Sequence, residues 1–482
     1  MIMTGTEILK QSEQQVADID LSSMDEETAK LYKLDGRPKF RLAYPVAVQH
    51  LLAMFTGNLA PILIITLIAQ ATTRQTIFMI QSAMLVAGVS TLLNLYPIKL
   101  GKRWQIGANL PIVMGTAMTF VPPASAVAIL AVDMGHPNPI GVVVGAMMVA
   151  ALAEAVVGIF YKYLRAFFPP LVIGSVLVSL GISLFVVGIN NFGGGSPATN
   201  PSFGSGQNMA IAFGVFFLNM FLQRFGRGMW KISSILISMT AGYIAAALLG
   251  MVDMYAISQA SIFALPTPWA LRPEFHFWAI SMFIAIFIVS GISTIGYTQS
   301  ITNQAMGREA TTKEISGAIF ADSLASTLSA VFNSLPNTEF GQNAGIVAYT
   351  KIINKWCIAL CSFTLIIAAL FPIIGGLFAA IPPAVLGGAI LSVFAMIFIN
   401  GIILISKSGF SPKNITMLTI IFGIGLGFAP PNNAALIQSF PNWLQFVFSD
   451  RVLLISVVAV IVNIIFMTKM DFVAVKEALK KE

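Results

Sequence analysis

A succession of apolar runs, separated by short clusters of charge, most constrains what this chain can fold into. A hydrocarbon core about 30 Å thick is crossed by roughly 20 helical residues. Fourteen candidate runs lie at approximately 44–68, 77–97, 108–132, 140–160, 168–192, 209–222, 232–250, 277–302, 315–332, 340–353, 356–375, 383–405, 414–428 and 452–468. Of 482 residues, 10% are charged and 57% are apolar, whereas soluble proteins carry about 25% charged residues. So few charges cannot coat a soluble body of this size. The balance excludes soluble domains, a nucleic-acid-binding protein and a disordered chain, and points to an all-α polytopic membrane protein embedded in the lipid bilayer.

The charge distribution orients the spans. Residues 1–42 form a polar tail; positions 1–41 carry eight acids and six bases with no long apolar run, so the tail reads as cytosolic rather than as a cleaved leader. Lys and Arg collect on the cytoplasmic side of short loops. With the tail inside and the spans alternating, 18 of the remaining 21 bases fall inside; only Arg74, Arg272 and Arg451 fall outside. The expectation is fourteen spans in the cell (plasma or inner) membrane with both termini cytoplasmic, the second tail being 469–482. The loops 193–208, 253–276 and 429–450 then lie outside.

Fourteen divides into seven plus seven, and an odd-numbered half is inserted upside down when duplicated. The expected halves are residues 43–250 and 277–468. Inverted repeats are a transporter signature, with the substrate site near the midplane where the halves meet. Gly107–Thr116 and Gly341–Thr350 share Gly, Asn, Ile, Val and Thr at five of ten positions, at a constant offset of 234. Both regions look broken: the third segment holds Gly107, Pro111 and Gly115, and the tenth is short and follows Pro336. Irregular backbone at membrane depth is tolerated where it is buried in protein or lines a cavity. A half-helix beginning there points unpaired N–H groups into that cavity.

Polar residues inside the runs are the site candidates. Gln342 and Asn343 offer paired amide donors and acceptors without charge, suited to a flat, heteroatom-rich ring. Gly341 adjoins them, and Phe340 could stack on such a ring or simply pack. His50, beside Gln49, is a buried hydrogen-bonding residue or a titratable site. Asp322 in the ninth run must be paired, protonated or wet; it either caps the broken segment or binds a coupling ion. Glu154 in the fourth run has no evident sequence neighbour. The eighth run is polar through Ser293, Thr294, Tyr297 and Thr298, whose hydroxyls could bond across helices, touch substrate or hold Na⁺. Cys357 and Cys361, one turn apart in an apolar run, read as small core residues.

Ser334–Thr338 followed by Gln342-Asn343-Ala344-Gly345 and Thr350-Lys351 resembles the signature of the nucleobase–ascorbate transporters, the xanthine/uracil permease family. Gln49-His50, the segment Leu110–Thr116 with Phe120, and Asp322 match further motifs, so the likeness covers residues 43–468. The resemblance implies two inverted seven-segment repeats with short strands breaking segments 3 and 10. It implies a core domain of segments 1–4 and 8–11, and a gate domain of segments 5–7 and 12–14. It further implies a homodimer joined through the gates and elevator-type alternating access, as a symporter of a small heterocycle. Gln342 is similar to the purine and xanthine members and would bond the base, with Asn343 supporting the motif. Three positions depart from the family pattern. The base-binding Glu of segment 8 is matched by Ser293, the acid or His one turn later by Tyr297, and the stacking aromatic of segment 3 by Met118, after Ala117. Asp322 and His50 are then the placed coupling or gating candidates, with Tyr297 and Thr294 beside them. No cofactor is expected beyond H⁺ or Na⁺ coupling, and no resident metal.

Two other classes compete. A channel or anion carrier on the same fold would be favoured by a base at the half-helix ends, and Gly107–Thr116 and Gly341–Thr350 contain none; a carrier of a different small solute or anion on that fold stays the alternative reading, because Ser293 stands where the resemblance puts a segment-8 Glu. An intramembrane enzyme would need a nucleophile–base pair or metal cluster; the three histidines (50, 136, 276) are scattered in sequence and no His-Glu-x-x-His motif occurs. The chain is therefore read as a transporter and not as an enzyme.

Overall fold

The computed structural model describes residues 24–101, 104–164, 169–195, 200–226, 230, 234–252, 257–258, 260–428, 434–441, 445, 447–448 and 451–466. Positions 1–23 and 467–482, hence most of the first expected tail and all of the second, lie outside the described residues, as do parts of the loops 193–208, 253–276 and 429–450.

The protein is a predominantly helical, multi-pass membrane protein. In chain order, α1 (Phe40–Ile68) and α2 (Thr73–Leu95) lead to β1 (Ile98–Leu100), β2 (Trp104–Ile106) and β3 (Met114–Thr116). A 3₁₀ turn (Met118–Phe120) opens α3 (Val121–Asp133), followed by α4 (Pro139–Leu164), α5 (Pro170–Phe192), α6 (Gly206–Phe225) and α7 (Ser234–Leu248). Then come α8 (Phe277–Met306), α9 (Thr312–Val331), β4 (Asn337–Glu339) and α10 (Gly341–Thr350). The chain continues with α11 (Lys355–Ala369), α12 (Pro372–Ala379), α13 (Pro383–Lys407), α14 (Pro412–Gly427) and α15 (Arg451–Phe466). Six helices among the described residues are long and apolar enough to cross a membrane, and α11 with α12 makes a seventh candidate bent by 83°. The bend falls just before Pro372, whose ring disfavours helical backbone in the preceding residue.

Local chemistry sets the ends of these helices. Thr72 with Gln75, and Thr311 with Glu314, form reciprocal capping boxes at the starts of α2 and α9, each satisfying two otherwise orphaned N–H groups. Proline opens α5, α13 and α14, where its missing N–H costs nothing. Gly307, at φ 65°, ends α8. Cys357 and Cys361 are buried, unbridged thiols facing apolar neighbours.

Two bodies of packing recur along the chain. One gathers α1–α4 with α8, α9 and α11; the other packs α5 on α13, α13 on α6, and α14 and α15 on one another. Between the long helices of the first body lie two short buried strands. β3 and β4 pair antiparallel, with Met114 opposite Glu339, Gly115 opposite Thr338 and Thr116 opposite Asn337. The third and tenth apolar runs are thus broken by strands, as the resemblance implies.

The sequence match at offset 234 does not survive this geometry. It lays Gly107–Thr116, which is irregular and ends in β3, over Gly341–Thr350, which is the helix α10. Strand falls on strand at an offset of 223, Met114–Thr116 on Asn337–Glu339. Small and branched apolar residues recur in any membrane segment, so short identities arise there without structural equivalence.

Candidate substrate and cation site

A two-stranded sheet has two open edges, and inside a membrane protein every one of its N–H and C=O groups still needs a partner. Side chains from three helices supply them. From α2, the Thr91 hydroxyl accepts from the Met114 N–H at 2.9 Å. From α1, the Asn58 carbonyl accepts from the Thr116 N–H at 2.7 Å. From α9, the Ser326 hydroxyl accepts from the Asn337 N–H at 3.2 Å and donates to the Asn337 carbonyl at 3.1 Å. One turn before Ser326, the Asp322 carboxylate faces the Glu339 N–H and accepts a short bond from the Thr294 hydroxyl of α8. Beyond the strands the ladder continues through Phe340 N–H to Val113 O at 2.9 Å and Ala117 N–H to Pro336 O at 3.0 Å. Asp322 thus lies against the backbone of the broken segment, held by Thr294.

This frame fixes where α10 begins. Phe340 is its N-cap and is only 6% exposed. A β-carbon on Gly57 of α1 would lie 2.5 Å from the end of the Phe340 ring, and one on Gly115 3.0 Å from its edge. The ring fills the space those glycines leave, so Phe340 packs between α1 and β3. Asn343 is also buried. Its side-chain amide donates to the His50 carbonyl at 2.9 Å and meets His50 Nδ1 at 3.0 Å. With Nδ1 accepting, the imidazole proton sits on Nε2, which is buried and bonds no described residue. His50 and Asn343 thus lock α10 to α1.

The exposed candidates are different ones. Gln342 is exposed at the first turn of α10, and Gly341 is half-buried. The Tyr297 ring lies against Gly341, with Cε1 2.8 Å from where a β-carbon would be, and is 38% exposed. Ser293, one turn earlier on α8, is half-buried and donates to its own helix at Val289 O, 3.2 Å away. Met118 is half-buried in the turn after β3, which packs on α8, while Ala117 is buried. Gln342, Gly341 and Tyr297 form one accessible surface; Phe340, Asn343, His50, Thr294 and Asp322 form its buried support.

Sequence reasoning passed over Glu339. Its carboxylate is buried, accepting from Thr298 Oγ1 at 3.0 Å and facing the Asn94 side chain. It lies within electrostatic range of Asp322, and so does Glu154 of α4. Glu154 is fully buried beside Ser290, its stem 3.4 Å from where a β-carbon on Gly291 would be. Glu154 accordingly has acidic neighbours, which its sequence surroundings did not indicate. Among the described residues, no Lys or Arg pairs with any of the three acids. One signal could have found the group: Glu339 is the single acid inside the polar break 333–339, where a charge needs a reason.

The model of the xanthine and uracil permeases, described as a permease family, matches residues 42–436. The chain belongs to this family. The xanthine permease of Bacillus subtilis is 30% identical over 431 residues, 89% of this chain and 95% of that one. The uric acid permease of the same organism is 29% identical over 427 residues, 88% and 92% of the two chains. The xanthine permease of Escherichia coli is 28% identical over 444 residues, 90% and 94%. Among solved structures, the transmembrane domain of a cyanobacterium bicarbonate transporter matches with TM-score 0.58 at 13% identity, covering 89% of this chain and 98% of that domain. The murine solute carrier 26 family member A9 anion transporter, in an inward-facing state, gives TM-score 0.60 at 10% identity, covering 96% and 76%. These two likenesses establish a shared fold.

Proposed function

We propose that this permease is a secondary transporter of a nucleobase-like heterocycle, of the purine or xanthine class, working by cation-coupled symport. The observation that carries the reading is the accessible amide of Gln342 at the start of a half-helix held in place by the strand pair. A planar base with adjacent donor and acceptor edges matches a carboxamide, and unpaired N–H groups in the first turn of α10 favour an electronegative edge. The names of the relatives support the same substrate class.

In this reading the chain has fourteen spans in two inverted repeats. The body containing β3 and β4 is the core domain, and the body built on α5 and α13 is the gate. Substrate rides on the core past the gate in an elevator-type movement. The protein forms a homodimer through its gates and sits in the cell membrane with both termini cytoplasmic. The ring is clamped by Tyr297 and Met118 rather than by Phe340, which is spent on packing. Ser293 replaces a bulkier acid and leaves room beside Gln342. Three carboxylates without a basic partner among the described residues are too costly to hold fully charged in a low-dielectric interior. Glu339, with Asp322 and Glu154, therefore takes up compensating positive charge, which we assign to the coupling cation.

The test is uptake of radiolabelled xanthine, urate, guanine and uracil into cells expressing the protein, at two external pH values and with and without Na⁺. Saturable accumulation of a purine that a proton or Na⁺ gradient drives supports the reading. Correctly inserted protein that accumulates no heterocycle sinks it.

A further inference from the structure

Two of the three histidines, 140 residues apart in sequence, meet in space. His136 lies in the turn between α3 and α4, and His276 is the N-cap of α8. Both present Nε2 to one oxygen of Glu274: His136 at 3.3 Å and His276 at 3.8 Å. The two imidazoles stand edge to face, with centroids 5.1 Å apart. All three side chains are partly buried, and their three donor atoms lie within 4.8 Å of one another.

We propose that His136, Glu274 and His276 form a binding site for a divalent transition-metal ion of the zinc class. An ion pair needs one imidazole per carboxylate; here two rings aim the same nitrogen at the same oxygen. Ligand atoms about 2.0–2.1 Å from a tetrahedral Zn²⁺ stand about 3.3 Å apart. The His136–Glu274 separation already has that value, and the remaining atoms need to close by an ångström or so. Two imidazoles and a carboxylate are a donor set that suits Zn²⁺, Ni²⁺ or Cu²⁺ and is poor for Ca²⁺ or Mg²⁺. Water would complete the shell.

The loops that carry the ligands are fixed before any ion arrives. The Glu274 N–H donates to Gly141 O at 2.9 Å, and a β-carbon on Gly145 would overlap the Glu274 backbone. Only glycine at 145 lets that strand of chain press onto α4. The Asn138 amide donates to Leu271 O at 2.9 Å and Arg272 O at 3.1 Å, while Leu271 N–H donates to Asn333 Oδ1 at 2.9 Å. Ligation through Nε2 places the His136 proton on Nδ1. That costs only the long 3.4 Å contact from the Asn138 N–H. A bound ion ties the end of the connection leading from α7 into α8 to the turn between α3 and α4.

The experiment uses tag-free purified protein, stripped with chelator and titrated with ZnCl₂ by calorimetry. One ion per chain is expected. His136→Ala, Glu274→Gln and His276→Ala should each weaken binding at least tenfold while eluting from gel filtration like the parent. Cu²⁺ added to the parent protein gives a second readout that needs no variant: the electron spin resonance spectrum should show hyperfine structure from two imidazole nitrogens. An oxygen-only Cu²⁺ spectrum overturns the proposal. So does a His136→Ala/His276→Ala double variant that binds Zn²⁺ with parental stoichiometry and affinity.

Discussion

Replacing Ser326 by Ala isolates the contribution of the brace on β4. Ser326 is fully buried within α9, and its single hydroxyl serves both the N–H and the carbonyl of Asn337. The substitution removes one oxygen and leaves two buried backbone groups without that partner. An unsatisfied buried donor or acceptor costs about 1–3 kcal/mol, so the loss is about 2–6 kcal/mol before relaxation. Alanine is the better helix former, so α9 itself gains slightly, and any deficit must come from the strand. Ser316→Ala on the same helix is the control: its hydroxyl makes only a 3.4 Å contact to Lys313 O, and its loss should cost under about 0.5 kcal/mol. The assay is thermal unfolding of both purified variants, with substrate uptake measured in parallel. Ser326→Ala should melt clearly below both parent and control and lose uptake, because β4 sets where α10 begins. Equal melting of the two variants, with normal uptake, would refute the argument that side chains satisfy this sheet's open edges.

Three further outcomes are expected. Gln342→Ala should abolish purine binding, measured by ligand-induced thermal shift, while leaving unliganded melting unchanged, because the side chain is exposed and bonds no described residue; normal binding would place the site elsewhere. Glu339→Gln keeps the bond from Thr298 and the shape of the side chain but removes the charge, so uptake should lose its dependence on the cation gradient while exchange of substrate across the membrane persists. Gradient-driven accumulation in that variant would take the coupling role away from Glu339. At the α8–α9 loop, burial pushes the Glu314 carboxyl up, but Arg308, bonding both oxygens at 2.6 and 2.9 Å, and the Thr311 cap outweigh it and hold it below its ordinary value of 4.5. A depressed native value means stability that is present above pH about 4.5 and lost as the pH falls below it. Glu314→Gln should therefore lower the melting temperature at pH 7 and shrink the difference from parent near pH 3; an equal deficit at both values would deny the ion pair its role.

The elements legible in the sequence are those that a one-dimensional pattern encodes. The apolar runs mark the long helices because a bilayer demands about 20 residues per crossing. Pro336, Pro111 and Gly107 mark the breaks because helix cannot pass them cheaply. Gln342 and Asn343 are visible as amides where lipid would tolerate none. The division of labour between them is not, since adjacent residues on a helix face about 100° apart and only the packing of α1 decides that Asn343 meets His50 while Gln342 stays open. Phe340 is similar: an aromatic before a half-helix reads equally as a stacking platform or as filler, and the glycines at 57 and 115 that settle it are hundreds of residues away. The pairing of β3 with β4 joins residues more than 200 apart, and two three-residue strands carry too little alternation to be read as strands. That pairing brings Glu339 toward Asp322, just as the loops bring His136 toward His276. Chemistry built from contacts across the chain is invisible until the backbone closes. In this permease the acids and histidines that belong to no local motif are the ones that the fold brings together.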